Sequence, residues 1–105
     1  YDEPYNLSAA RMIKPHIDNL PLCLVGGLRS KDQMEEILEG GYADFLSMSR
    51  PFVREPSIAR KIKEGTAVEV ACESCNRCLA AVAADLPLKC YIKGFPNKGH
   101  GIQRL

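Results

Sequence analysis

Three cysteines at two-residue gaps, Cys72-Glu-Ser-Cys75-Asn-Arg-Cys78, with Cys90 following after a longer interval, constrain this chain more than any other feature. The chain has five cysteines in 105 residues. Secreted disulfide scaffolds carry an even number spread along the chain. An odd count with a tight group favours metal ligation in a reducing compartment, so a cytoplasmic location is expected. Three thiolates on one tight loop suit three corners of an iron–sulfur cube, with a distant fourth closing it. Zinc sites more often use two separated Cys-x-x-Cys pairs. The spacing of Cys72, Cys75, Cys78 and Cys90 therefore favours a [4Fe–4S] cluster, with zinc as the alternative metal. Cys23 belongs to an apolar run and is expected to be a small buried thiol away from that centre. Arg77, Lys89 and Lys93 are near enough in sequence to offset the negative charge of four thiolates, unless they are simply solvated. Tyr91 and Phe95 flank Cys90 and are expected to pack over the loop.

Composition narrows the rest. Hydrophobic residues make up 46% of the chain and charged residues 26%, which is ordinary for a soluble globular protein. A net charge of +1 gives no field directed at nucleic acid or an anionic membrane. No apolar run approaches the roughly 20 residues that span a bilayer. The length suits one small domain or part of a larger one. A start at Tyr1 rather than Met points to a mature product, an excised piece or a chain preceded by further residues.

Residues 1–66 read as alternating helix and strand, and residues 67–105 as a cysteine-bearing extension with loop signals. Ala9, Ile13 and Ile17 give helical spacing between Asn6 and Asp18, capped by Asn6 or Ser8 and kinked or shortened by Pro15. Leu20 to Val25 is a short apolar run ending in Gly26-Gly27, as a strand buried on both faces would. Ser30 and Gln33 form a capping box for a helix over about 31–39, with Met34, Ile37 and Leu38 as its apolar face. Phe45 to Met48 reads as a second strand. Glu55-Pro56 opens a further helix with Ile58 and Ile62 on its apolar side, stopped by Gly65. Strands alternating with helices imply parallel pairing through right-handed crossovers. Two parallel strands leave open edges, so the sheet wants neighbours from elsewhere. His16 reads as a surface residue, and His100 sits in the glycine-rich tail Asn97–Gly101.

Both strand ends carry similar chemistry. Val25-Gly26-Gly27-Leu28-Arg29 and Met48-Ser49-Arg50-Pro51 each lie where a strand ends and a helix soon follows. Glycine lets backbone amides approach a ligand, helix N-termini favour anions, and an arginine adds a bidentate charged contact. Alone, either turn is as well read as a common Gly-Gly turn or a solvated arginine. Together they point to phosphate, which in eight-stranded barrels binds at the loops after the last two strands.

The runs Pro21–Arg29, Glu35–Asp44 and Ser47–Phe52, in this order, resemble the Old Yellow Enzyme family of NADH:flavin oxidoreductases, which are FMN-binding TIM (β/α)8 barrels. The resemblance covers residues 5–95. It implies that Gly26, Gly27, Ser49 and Arg50 hold the FMN phosphate, with Arg29 beside them, and that the two strands are the last two of a barrel. Ser49 departs from the glycine common among relatives, and its hydroxyl is a substitute donor. The cysteines are similar in order to those of the branch containing 2,4-dienoyl-CoA reductase and trimethylamine dehydrogenase. There such a motif just after the barrel holds a [4Fe–4S] cluster that exchanges electrons with FMN.

The resemblance thus implies a C-terminal piece of an enzyme: residues 1–66 from the barrel and 67–105 as an iron–sulfur extension. The whole protein would take hydride from NAD(P)H and reduce a small unsaturated or carbonyl substrate, and it is compatible with a homo-oligomer. No catalytic side chain is expected in this piece, because the flavin carries the hydride. Two rivals stand: a zinc-stabilised, non-enzymatic binding module, and a barrel piece whose phosphate turns take another phosphorylated ligand.

Overall fold

The computed structural model of the chain describes residues 4–96, so the tail with His100 lies outside the described residues. Its centre is one β–α–β unit. Strand β1 (Cys23–Val25) pairs parallel with β2 (Phe45–Ser47), with Leu24 opposite Leu46. Helix α2 (Lys31–Glu39) connects them. Its start is fixed as the capping box predicts: the Gln33 amide donates to the Ser30 hydroxyl at 3.1 Å. Gly41, at φ +72°, takes the chain out of the helix toward β2 in a backbone conformation that glycine adopts without penalty.

Helix α1 (Leu7–Ile13) precedes this unit and runs into a 3-10 turn over Lys14–His16. Pro15 is the cause, since it lacks the amide that an α-helix needs there. The buried side of α1 differs from the expected stripe. Ala10 is buried and Leu7 packs beside it, while Ile13 is 47% exposed. The Asn6 side chain does not cap α1. Its amide donates 2.7 Å to the carbonyl of Val25, at the end of β1.

After β2 comes a short helix α3 (Arg50–Arg54) that the sequence reading had not separated from the turn, then α4 (Ile58–Glu64). Gly65, at φ +79°, ends α4 as expected. A single core lies between the helices and one face of the strands. It contains Ala10, Leu24, Leu28, Met34, Ile37, Ala43, Ile58 and Val70, with Ile58 completely buried. Leu38 was expected on this face but is exposed, because Met34 and Ile37 already fill the stripe that meets the strands.

Strand burial alternates. Leu24 faces the core, while Cys23, Val25 and Phe45 are exposed. The expectation that Cys23 is a buried thiol, and β1 a strand covered on both faces, is therefore corrected. Successive strand residues point to opposite faces, and two strands with helices on one side cover only one of them.

The chain then returns across the start of α2. Ser30 bridges antiparallel to Glu69, the Lys31 amide donates to the Val68 carbonyl, and the Val70 amide donates to the Arg29 carbonyl. These bonds lead residues 71–76 directly past the two glycine and arginine turns. Helix α5 (Arg77–Ala83) follows, in a region the sequence analysis read as loop. Its Cys78 and Ala81 are buried, as is Tyr91 further along the chain. Among the described residues, no helix is long and apolar enough to cross a membrane.

Opposite the turns, at the other end of the strands, Asp44 ties the unit together. Its carboxylate accepts from the Lys14 ammonium and, at 2.8 Å, from the Leu22 amide. The Lys14 hydrogen bond, aided by the Leu22 amide, holds the Asp44 carboxyl below its ordinary value of 3.8.

Candidate functional site

The ends of β1 and β2 open into one cavity of about 130 Å³. Gly26, Gly27, Arg29, Ser49 and Arg50, the five residues expected around phosphate, all line it. Parallel pairing is what brings them together. With Val25 opposite Ser47, the segments leaving both strands emerge at the same edge. Gly26 and Gly27 have φ of +114° and +67°, a region other residues rarely adopt. A side chain at Gly26 would also meet the Tyr5 ring, only 2.6 Å from an ideal Cβ. Tyr5, to which sequence reasoning gave no role, thus forms a third side of the cavity. No local signal marks it, because the contact joins the segment before α1 to the end of β1.

Both arginines lean on the cysteine loop. Arg29 Nη1 donates to the Cys72 carbonyl at 2.5 Å, and its Nη2 donates to the Ser74 hydroxyl at 3.0 Å. Arg50 Nη1 donates to Asn76 Oδ1 at 2.6 Å. A guanidinium has five donors in a fixed fork, so these bonds leave further N–H groups of Arg50 for an anion.

Cys72, Cys75, Cys78 and Cys90 line a second, smaller cavity of about 20 Å³, with Arg50, Arg54 and Asn76 among its other walls. Cys23 is not among its lining residues. The loop achieves this by strained turns. Ser74 and Asn76 both have left-handed backbones, at φ +57° and +62°, which curl the chain between successive cysteines. The first turn of α5 then presents Cys78, and the buried Tyr91, whose hydroxyl donates to the Pro87 carbonyl at 2.8 Å, fixes the segment carrying Cys90. All four thiols are free. Among the described residues, however, no three or more ligating side chains are gathered closely enough to hold one metal ion.

The cations around this cavity are not those expected from sequence proximity. Arg77 donates to the Ile92 carbonyl, and Lys89 lies 5.3 Å from the centre of the Tyr91 ring. Arg54 instead reaches Cys90, with Nη1 at 3.9 Å from Sγ. Arg54 was missed because it comes from α3, far away in sequence. Tyr91 lines the cysteine cavity, and its ring meets Phe95 with centroids 5.5 Å apart. The two cavities share a wall, since Arg50 and Cys72 line both.

No protein-family model matches the chain, and no solved structure matches it significantly. Curated relatives do. An NADH-dependent flavin oxidoreductase of Neonectria sp. (strain DH2) is 40% identical over 58 residues, 55% of this chain and 8% of that protein. An NADH oxidase of Thermoanaerobacter brockii is 32% identical over 95 residues, 88% of this chain and 14% of that protein. A dimethylamine dehydrogenase of Hyphomicrobium sp. (strain x) is 30% identical over 63 residues, 59% of this chain and 9% of that protein. The chain thus spans a small fraction of the length of the curated relatives it matches. The match to the NADH oxidase is long enough that both turns and all four cysteines must fall within it. With similarity sustained across that stretch and shared with several oxidoreductases that use NADH or flavin, the chain belongs to the Old Yellow Enzyme-like family of NADH-dependent flavin oxidoreductases.

Proposed function

We propose that this chain is the part of a flavin oxidoreductase barrel that anchors the FMN phosphate and carries an adjoining [4Fe–4S] cluster. Residues 1–66 contribute the last two strands of a (β/α)8 barrel, and residues 67–105 form the cluster-bearing extension. The observation that carries this reading is the convergence of Gly26, Gly27, Arg29, Ser49 and Arg50 on one cavity at the C-terminal ends of paired parallel strands. That end is where barrels of this kind bind phosphate. The uncovered strand face bearing Cys23, Val25 and Phe45 suits the inside of a barrel completed by other strands.

The donor set of the second cavity fits a cluster. Four free thiols surround one space, and Arg54 supplies positive charge beside Cys90. The four cysteines of a cube bind four different irons, so their sulfurs stand further apart than around a single ion. Three cysteines at two-residue gaps with a distant fourth favour a cluster over zinc, which more often takes two separated Cys-x-x-Cys pairs. Cys72, Cys75, Cys78 and Cys90 would hold it, and it would supply one-electron transfer. The flavin, when bound, supplies hydride chemistry between NAD(P)H and a small unsaturated or carbonyl substrate. This chain's own residues bind and orient: the glycines admit the phosphate, and Arg50 neutralises it.

Arg50→Ala in the intact protein should weaken FMN binding by about 1.5–3 kcal/mol, roughly 10- to 150-fold, for loss of a charged hydrogen bond. Flavin fluorescence titration of the apoprotein measures this. An affinity within about twofold of the parent would remove Arg50 from the site and leave the phosphate reading without its main cation.

A further inference from the structure

We propose that the cysteine loop is a working wall of the phosphate pocket, with Asn76 as the residue that positions Arg50. The two sites are then energetically coupled. This inference rests on the phosphate reading above and deepens it. Three observations carry it. Arg29 and Arg50 both donate to residues 72–76: Arg29 to the Cys72 carbonyl and the Ser74 hydroxyl, Arg50 to Asn76 Oδ1. Arg50 and Cys72 line both cavities. Asn76 and Ser74 have left-handed backbones, so the geometry that aims their side chains at the arginines is the same geometry that turns the cysteines inward.

Side-chain entropy is what such a contact saves. An arginine at a strand end has many rotamers, and ordering it on binding costs affinity. Arg50 is already held by Asn76 through one edge of its guanidinium, with the other donors left for an anion. The phosphate therefore meets a cation that is largely fixed in advance. Asn is suited to this place because it tolerates the left-handed backbone at φ +62° and carries an amide oxygen as acceptor. Anything that disorders the loop, including failure to fill the cysteine site, releases Arg50 from Asn76. By reciprocity, a bound phosphate that orders the arginines steadies the loop.

FMN and riboflavin separate this effect from general damage, because they differ only in the phosphate. Affinities for both are measured by flavin fluorescence on the intact protein, kept without oxygen. The variants are Asn76→Gly, Asn76→Asp, Cys75→Ser and Arg50→Ala. Asn76→Gly still permits the left-handed backbone and removes the side chain with its amide. It should weaken FMN roughly three- to tenfold, as for one lost hydrogen bond, and leave riboflavin unchanged. Asn76→Asp, which keeps an acceptor for Arg50, should recover much of the preference. Cys75→Ser disturbs the metal site without touching either arginine, and it should lower the FMN preference in the same direction. Parent-like FMN affinity in Asn76→Gly, or equal loss of FMN and riboflavin, would overturn the positioning role. Loss in Asn76→Gly with full preference in Cys75→Ser would overturn the coupling. If Arg50→Ala also binds FMN like the parent, the fault lies with the phosphate reading itself.

Discussion

Cys75→Ser in the intact protein, prepared and reconstituted without oxygen, should bind almost no iron or sulfide, whereas the parent should bind both. Cys75 is the exposed member of the four and lies midway along the loop, so its loss breaks the ring of thiols while leaving the core untouched. Serine is nearly the same size, but its hydroxyl is not a thiolate at neutral pH. The second effect is structural. Residues 71–76 carry two left-handed backbones, and α5 buries only Cys78 and Ala81. A bound centre supplies much of the folding energy of such a segment. Amide exchange over 71–95 should therefore speed up at least about tenfold, while α2 is little changed. A variant that keeps the parent's iron content would remove Cys75 from the centre.

Ile58→Ala should be the most damaging single truncation in the core. Ile58 is completely buried and joins α4 to the cluster formed by Leu24, Ile37 and Val70. Removing its outer carbons loses their burial and leaves a cavity, at a cost of about 2–4 kcal/mol. Because Val70 shares that cluster and leads straight into Cys72, the damage should reach the cysteine loop as well as the helix. Urea unfolding of the parent and variant measures the loss. A change below about 0.5 kcal/mol, the range of an ordinary surface substitution, would contradict the assigned core.

The β–α–β unit was legible in the sequence because each of its boundaries has a local cause. Ser30 caps α2, Gly26-Gly27 ends β1, and Gly65 ends α4. The convergence of the two glycine and arginine turns was legible for the same reason, since parallel pairing brings two strand ends to one edge without further information. Packing direction was less visible. Ile13 and Leu38 fit the apolar spacing of their helices, yet both are exposed, because the core had been filled by Ala10, Met34 and Ile37. Cys23 looked buried because its run is apolar on both sides, but this chain provides cover for only one face. Helix α5 was hidden by its cysteines, which drew attention to metal spacing and away from the helix-forming run Leu79 to Ala84. Tyr5, Arg54 and Asn76 act only through contacts between distant segments, which spacing does not reveal.

The central claim is that one small unit holds a flavin phosphate beside an iron–sulfur cluster. Its most direct test is the content of flavin, iron, acid-labile sulfide and zinc in the intact protein, isolated without oxygen. The account predicts about one FMN with about four iron and about four sulfide per chain. Protein that contains zinc without sulfide, or a phosphorylated ligand without flavin, would contradict it.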